Sequence, residues 1–142
     1  MKVQVIYWSG TGNTQMMAES VAAGAKMAGA EAELTEVGSA SEAQIEACEY
    51  IAFGCPSMGD EVLEEDEMEP FFTGVESLLR GKKIALFGSY DWGDGEWMRD
   101  WAQRTQNAGA VVCGGEGLIV NLTPDEDGLE KCKALGKALA EM

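Results

Sequence analysis

Six small residues, Ser9-Gly10-Thr11-Gly12-Asn13-Thr14, follow the apolar run VQVIYW of Val3–Trp8 and directly precede a helical pattern. A buried strand, a loop of small residues and a helix N-terminus together form an anion site. The first-turn N–H groups have no partner, and the helix dipole adds positive potential. Gly10 and Gly12 allow close backbone approach, Ser9, Thr11 and Thr14 offer hydroxyl donors, and Asn13 offers an amide. No lysine stands in this loop, so the Walker pattern fails, and Gln15 occupies the third glycine position of G-x-G-x-x-G. A nucleoside triphosphate with magnesium would meet no compensating cation here; a single terminal phosphate monoester fits. A capped tight turn would use the same residue types, and the position between strand and amphipathic helix favours the phosphate.

Two further loops follow apolar strands: Pro56-Ser57-Met58-Gly59-Asp60-Glu61 and Tyr90-Asp91-Trp92-Gly93-Asp94-Gly95. Each carries a large polarisable or aromatic side chain, Met58 or Trp92, with a Gly-Asp pair just after it. A tryptophan on a loop is costly to leave in water unless something flat covers it, and methionine adapts to irregular surfaces. Packing on neighbouring loops would satisfy either residue singly. Their shared position suggests the two faces of one planar ligand.

The elements that must position these loops are read from periodicity. Strands are predicted over Val3–Trp8, Glu31–Val37, Tyr50–Cys55 and Lys83–Ser89, with a broken fifth over Ala110–Cys113 and Gly117–Asn121. Helices are predicted over Gln15–Ala28, Ser41–Ala47, Glu69–Leu79, Glu96–Asn107 and Pro124–Ala140, the last with Thr123 as N-cap and Pro124 at its first position. Strands alternating with helices imply an α/β fold, a doubly wound five-stranded parallel sheet covered by helices on both faces. Ligands in such a sheet lie beyond the carboxyl ends of the strands, so the three loops belong on one edge.

Composition narrows the function classes. The 142 residues suit one domain, 1–142, with 46% hydrophobic and 25% charged residues. Twenty-five acids against ten bases leave a net charge of −15, which argues against nucleic acid and anionic membranes as partners. Histidine is absent, which removes His-based acid–base chemistry and makes most transition-metal sites improbable; no metal is expected. Cys48, Cys55, Cys113 and Cys132 lack C-x-x-C spacing and are expected to be free thiols. No signal peptide or membrane-spanning run is evident, so a cytoplasmic protein is expected. Asp60–Glu69 holds seven acids in ten residues, most of them read as a solvated surface.

SGTGNT after the first strand, MGDE in the second loop, SYDWGDGEW in the third and EPFF at Glu69–Phe72 resemble short-chain flavodoxins of anaerobic bacteria, over essentially the whole chain. The resemblance implies the flavodoxin-like strand order 2-1-3-4-5 and one non-covalently bound FMN. It implies that Ser9, Gly10, Thr11, Gly12, Asn13 and Thr14, with Ser57, hold the phosphate. Met58 and Trp92 would cover the two isoalloxazine faces, and Glu61 would accept the flavin N3–H. The Gly59–Asp60 peptide would be the redox switch, its carbonyl turning toward N5. Ser89, Tyr90, Asp91 and Gly93 would complete the site, with backbone N–H groups near Gly93 meeting the pyrimidine-edge oxygen. Relatives often have glycine where Asp91 stands, and Pro56 and Ser57 replace other small residues.

The function implied is a low-potential one-electron carrier using the semiquinone/hydroquinone couple, without substrate turnover of its own. Its partners would be basic redox proteins, flavoprotein reductases and iron–sulfur oxidoreductases, meeting a monomer in transient complexes. The alternative is a flavin-dependent NAD(P)H:quinone reductase of the same fold, although such enzymes are longer. A receiver domain would need an acidic pair where Ser9-Gly10-Thr11-Gly12 stand.

Overall fold

The computed structural model describes residues 1–142. Strands and helices alternate in the order β1 (Lys2–Tyr7), α1 (Asn13–Met27), β2 (Glu31–Glu36), α2 (Glu42–Glu46), β3 (Tyr50–Gly54), α3 (Met68–Val75), β4 (Lys83–Tyr90), α4 (Glu96–Asn107), β5 (Val111–Val112), β6 (Leu118–Asn121) and α5 (Glu126–Ala140). The sheet is wholly parallel, with order β2-β1-β3-β4-β5. β6 also pairs with β4, Phe87–Tyr90 lying opposite Leu118–Asn121, so β5 and β6 are two halves of one strand position. The break expected between Cys113 and Gly117 is a 3-10 turn at Cys113–Gly115.

Alternation along β1 divides the core. Val3, Val5 and Tyr7 pack with Met17, Val21 and Ala25 of α1 and Leu139 of α5. Ile6 turns to the opposite face, joining Phe53, Leu86, Phe72 of α3 and Trp97 and Trp101 of α4. There Phe72 meets Phe53 edge-on at 5.2 Å and Trp101 at 5.7 Å. On the first face α1 and α5 touch backbone to backbone. A Cβ on Gly24 would fall 1.9 Å from the Lys133 carbonyl oxygen, and one on Gly136 1.9 Å from that of Val21.

Several element ends lie one or two residues from the sequence reading, and α3 and α5 differ from it in how they are closed. α3 begins at Met68 and ends at Val75, and Glu76–Leu78 continues as a 3-10 turn where an α-helix to Leu79 was expected. The early start follows from the Glu64 carboxylate, which collects the N–H groups of Asp66, Glu67 and Met68 at 2.7–3.0 Å. The N-cap of α5 is Asp125, not Thr123, and Pro124 precedes the helix. The Asp125 carboxylate accepts the Gly128 N–H at 2.8 Å, a charge-assisted bond at the third helical position that a hydroxyl two residues earlier cannot make. No helix is long and apolar enough to cross a membrane, and all four cysteines are buried free thiols.

Candidate functional site

Because every sheet strand runs the same way, the loops leaving β1, β3, β4 and β6 gather at one edge. They enclose a cavity of about 280 Å³ lined by Ser9, Gly10, Thr11, Asn13 and Thr14 from the first loop, Pro56, Ser57 and Met58 from the second, and Ser89, Tyr90 and Asp91 from the third. Trp8 and Leu122 complete the lining; the sequence reading placed Trp8 within the first strand and gave Leu122 no role. Both were accessible to the carboxyl-edge argument, since β1 ends at Tyr7 and Leu122 follows β6 directly. A larger open depression of about 670 Å³ runs along α4 past Glu76, Asp100 and Arg104. It lies away from the strand ends, and its Arg104 guanidinium is already held by Glu69 and Glu76 at 2.7 and 2.6 Å.

The first loop is built to receive an anion. Its backbone turns at Gly12, φ 97°, into α1. The Ser9 hydroxyl oxygen accepts the N–H groups of Gly12 and Gln15 at 3.1 and 3.2 Å, which leaves its own proton free to donate outward. The N–H groups of Gly10, Thr11, Asn13 and Thr14 donate to no atom of the chain. The Thr14 hydroxyl is buried and 3.0 Å from that of Ser89, so these two share one proton between them and the other remains available. Four unpaired amide donors, hydroxyls and no lysine match one phosphate monoester.

The second loop is a tight hairpin. Met58 and Val62 exchange both backbone hydrogen bonds at 2.9 Å, with Gly59, Asp60 and Glu61 at the tip. Gly59 is left-handed at φ 51°, a conformation glycine adopts without strain. Glu61 is left-handed too, at φ 56°, although it bears a side chain. Its carboxylate explains why: one oxygen accepts the N–H groups of Gly95 and Glu96, at 3.1 and 3.0 Å, and so caps α4 from across the edge. The second oxygen carries no bond within the chain, leaving an acceptor for a donor outside it. A Cβ on Gly93 would fall 2.5 Å from this carboxyl group, so the third loop closes on Glu61 only because that position is glycine.

In the third loop Asp91 has no positive φ; the aspartate where relatives often carry glycine takes ordinary backbone angles and adds a carboxylate to the cavity lining. Trp92 is 59% exposed and pairs with no other ring of the chain. It stands outside the cavity lining, as do Gly12, Gly59, Asp60, Glu61 and Gly93. The sequence reading had put them all with the residues that do line it. The Gly93 N–H is unpaired. Asn121 fastens this loop from behind, donating to the carbonyls of Tyr90 and Asp91 at 3.1 and 3.3 Å.

Most of the acidic run, Asp60, Glu65, Asp66 and Glu67, is exposed as the sequence reading expected, and the other three acids carry structural contacts. Glu61 and Glu64 are buried as helix caps. Glu67 accepts the Trp8 indole N–H, and Glu69 holds Arg104, whose hydrogen bonds keep the Glu69 carboxyl below the usual carboxylate range. Asp60, Glu65 and Asp66 are exposed and without an ion-pair partner. The one cation beside the third loop, Arg99, is paired with Asp94 at 2.9 Å.

Known proteins share this arrangement. The flavodoxin family model matches residues 5–136. A flavodoxin of Megasphaera elsdenii is 47% identical over 98% of both chains, and one of Clostridium beijerinckii is 43% identical over 99% of this chain and all of its own. The solution structure of two-electron reduced M. elsdenii flavodoxin superposes with a TM-score of 0.90 at 46% identity, covering 99% of each chain. A flavodoxin from the domain Archaea reaches the same TM-score at 27% identity, over 99% of this chain and 97% of its own. The quinone reductase alternative draws no support from these relatives. A cavity with an open helix terminus for a phosphate, beside an uncovered tryptophan, and full-length identity above 40% converge on one assignment: this chain belongs to the flavodoxin family, electron-transfer flavoproteins that bind FMN and turn over no substrate of their own.

Proposed function

We propose that the whole chain is one FMN-binding domain that works as a low-potential one-electron carrier, a cytoplasmic monomer meeting basic redox proteins in transient complexes. The observation that carries the reading is the first loop: four unpaired amide N–H groups at the N-terminus of α1, with no lysine, opening into the cavity. Ser9, Gly10, Thr11, Gly12, Asn13 and Thr14, with Ser57, would hold the phosphate. Met58 and Trp92 would cover the ring system and exclude water from it. The free oxygen of Glu61 would accept the N3–H, and unpaired N–H groups near Gly93 would meet the pyrimidine-edge oxygen, with Ser89, Tyr90 and Asp91 forming the wall between.

When bound, FMN supplies the one-electron chemistry, and the protein sets its two potentials. The Gly59 carbonyl accepts no bond within the chain, so it is free to hold a proton at N5 without breaking an existing contact. That supports Gly59–Asp60 as the switch peptide. Charge supports the low potential. Asp60 and Asp91 are exposed and unpaired at the site edge, where Asp94 is neutralised by Arg99, whereas Lys2, Lys26, Lys82 and Lys83 sit at strand starts and helix ends, on the opposite edge. Each carboxylate ~10 Å from an added negative charge opposes it by roughly 0.4 kcal/mol even in water. Each 1.4 kcal/mol lowers a one-electron potential by about 59 mV. The same exposed acids would steer basic partners, with a rate that falls as salt rises.

Potentiometric titration tests this. The second potential is expected well below that of free FMN, and a value equal to it would sink the low-potential reading. Gly59→Val probes the switch through its positive φ, since a Cβ there meets nothing within 4 Å. Strain confined to the states in which the carbonyl faces N5–H, ~1–2 kcal/mol for a left-handed residue with a side chain, would lower the first potential by roughly 60 mV, with the second much less affected. Unmoved potentials would remove the role given to this peptide.

A further inference from the structure

Trp8 occupies a place that the assignment of phosphate and ring contacts leaves unused. Its indole lines the 280 Å³ cavity on one side and a small polar niche of about 80 Å³ on the other, where Glu36, Gly38 and Glu67 also lie. Two contacts fix the ring. The indole Nε1–H donates to a Glu67 carboxylate oxygen at 3.2 Å. The far edge of the benzo ring closes over the first loop: a Cβ on Gly10 would fall 3.0 and 3.2 Å from Cη2 and Cζ3. The Glu67 side chain is exposed, and its second oxygen lies over Gly38, where a Cβ would meet it at 2.3 Å. Gly10 and Gly38 are thus the small residues that admit a ring pinned at both ends.

We propose that Trp8, held by Glu67, is a positioning residue for the phosphate half of the site. The ring lies against the Ser9–Gly10 backbone, where the unpaired amides begin. By packing there it keeps those donors turned into the cavity. It also fills the space between the anion site and the two carboxylates of the niche, which keeps Glu36 and Glu67 at a distance from a phosphate in a lysine-free loop. Apolar filling of the space beside a hydrogen-bonded anion excludes water that would compete for the same donors. This inference rests on the FMN reading and adds to it a residue that selects the phosphorylated flavin over the bare one.

The full-length chain, freed of flavin, is titrated with FMN and with riboflavin, which has the same ring and ribityl chain but no phosphate, following flavin fluorescence. Trp8→Ala is expected to weaken FMN at least tenfold and riboflavin less than twofold. Trp8→Phe, which keeps the bulk and loses the N–H, should weaken FMN about threefold and leave riboflavin unchanged, and it serves if the alanine variant folds poorly. Glu67→Gln keeps an acceptor for the indole and removes a charge, so FMN should bind as tightly as in the wild type or more so. Equal losses for the two flavins in the Trp8 variants would make the ring a general wall and overturn the proposal, as would an unchanged FMN-to-riboflavin ratio. Glu67→Ala, which removes the acceptor as well as the charge, should bind FMN about threefold more weakly than Glu67→Gln, and equal affinities would overturn the part given to Glu67. A wild-type chain that takes up neither flavin overturns the FMN reading as well as this one.

Discussion

Two kinds of helix N-terminus coexist in this molecule. Four are closed by the chain itself: α2 by the Ser41 hydroxyl, α3 by the Glu64 carboxylate, α4 by Glu61 and α5 by Asp125. The fifth, α1, is left open. The Ser9 hydroxyl satisfies Gln15 and Gly12, and the N–H groups of Asn13 and Thr14 stay unpaired beside the cavity. All five ends present the same orphan donors and the same dipole. A chain that closes four of them, one with a carboxylate brought from a loop 34 residues away, reserves the fifth for an anion that is not part of it. The comparison separates a device that stabilises the fold from the same device used for binding.

The largest expected effect lies at a closed end. Glu64→Ala removes the acceptor of three N–H groups from a residue 5% exposed. Charge-assisted bonds to a buried carboxylate carry more than neutral ones, so the loss should be about 3 kcal/mol of stability. Urea unfolding should show a lower midpoint with an unchanged slope. A loss below about 1 kcal/mol would mean that water closes the end of α3 as well as Glu64 does.

Closing the open end tests the contrast from the other side. Thr11→Asp puts a carboxylate on an exposed position of the first loop, within reach of the free donors. FMN affinity should fall roughly 30-fold, about 2 kcal/mol. The flavin-free protein should be as stable as the wild type or more so by ~0.5 kcal/mol, because an acid now meets the helix dipole. Stability and affinity moving in the same direction would erase the distinction between the two kinds of terminus.

This contrast was only half legible in the sequence. The open end could be read because strand, loop and helix are contiguous from Val3 to Met27, and local order places the donors. The gathering of three loops likewise follows from buried apolar runs and the parallel-sheet rule, whereas the strand order came only with the family resemblance. Of the closed ends, only that of α2, where Ser41 opens the predicted helix, could be read in the same way. Glu61 caps a helix 34 residues further on, and nothing local separates such a carboxylate from the solvated ones beside it in Asp60–Glu69. Thr123 and Asp125 are both good N-caps, and only the register of α5 against the sheet selects one. Trp8 continues an apolar run and reads as part of the strand, although the pairing of β1 with β2 ends one residue earlier, with Tyr7 opposite Glu36.

The smallest effect concerns the remaining partnered acid of the run. Arg104 holds Glu69 by hydrogen bonds and charge, against the cost of burial, so the carboxyl titrates below its usual range. A carboxylate with a depressed folded pKa contributes stability that is present above the unfolded value, ~4.3, and lost as pH falls through the folded one. Glu69→Gln keeps the shape and removes the titration. The wild type should therefore exceed this variant in stability at pH 6, and the gap should shrink as pH falls from about 5 toward 3. With the Glu69 side chain 40% exposed and that of Arg104 28%, solvent screening limits the gap to roughly 0.5–1 kcal/mol. The pairs Lys2–Glu33 and Lys83–Glu49 also titrate in this range, but they are common to both proteins and cancel in the difference. FMN affinity should not follow the gap, since Glu69 faces Arg104 on α4 and not the cavity. Stability curves that run parallel across that range would place Glu69 with the solvated acids after all, and the acidic run would then have two closed helix ends and one indole contact as its structural work.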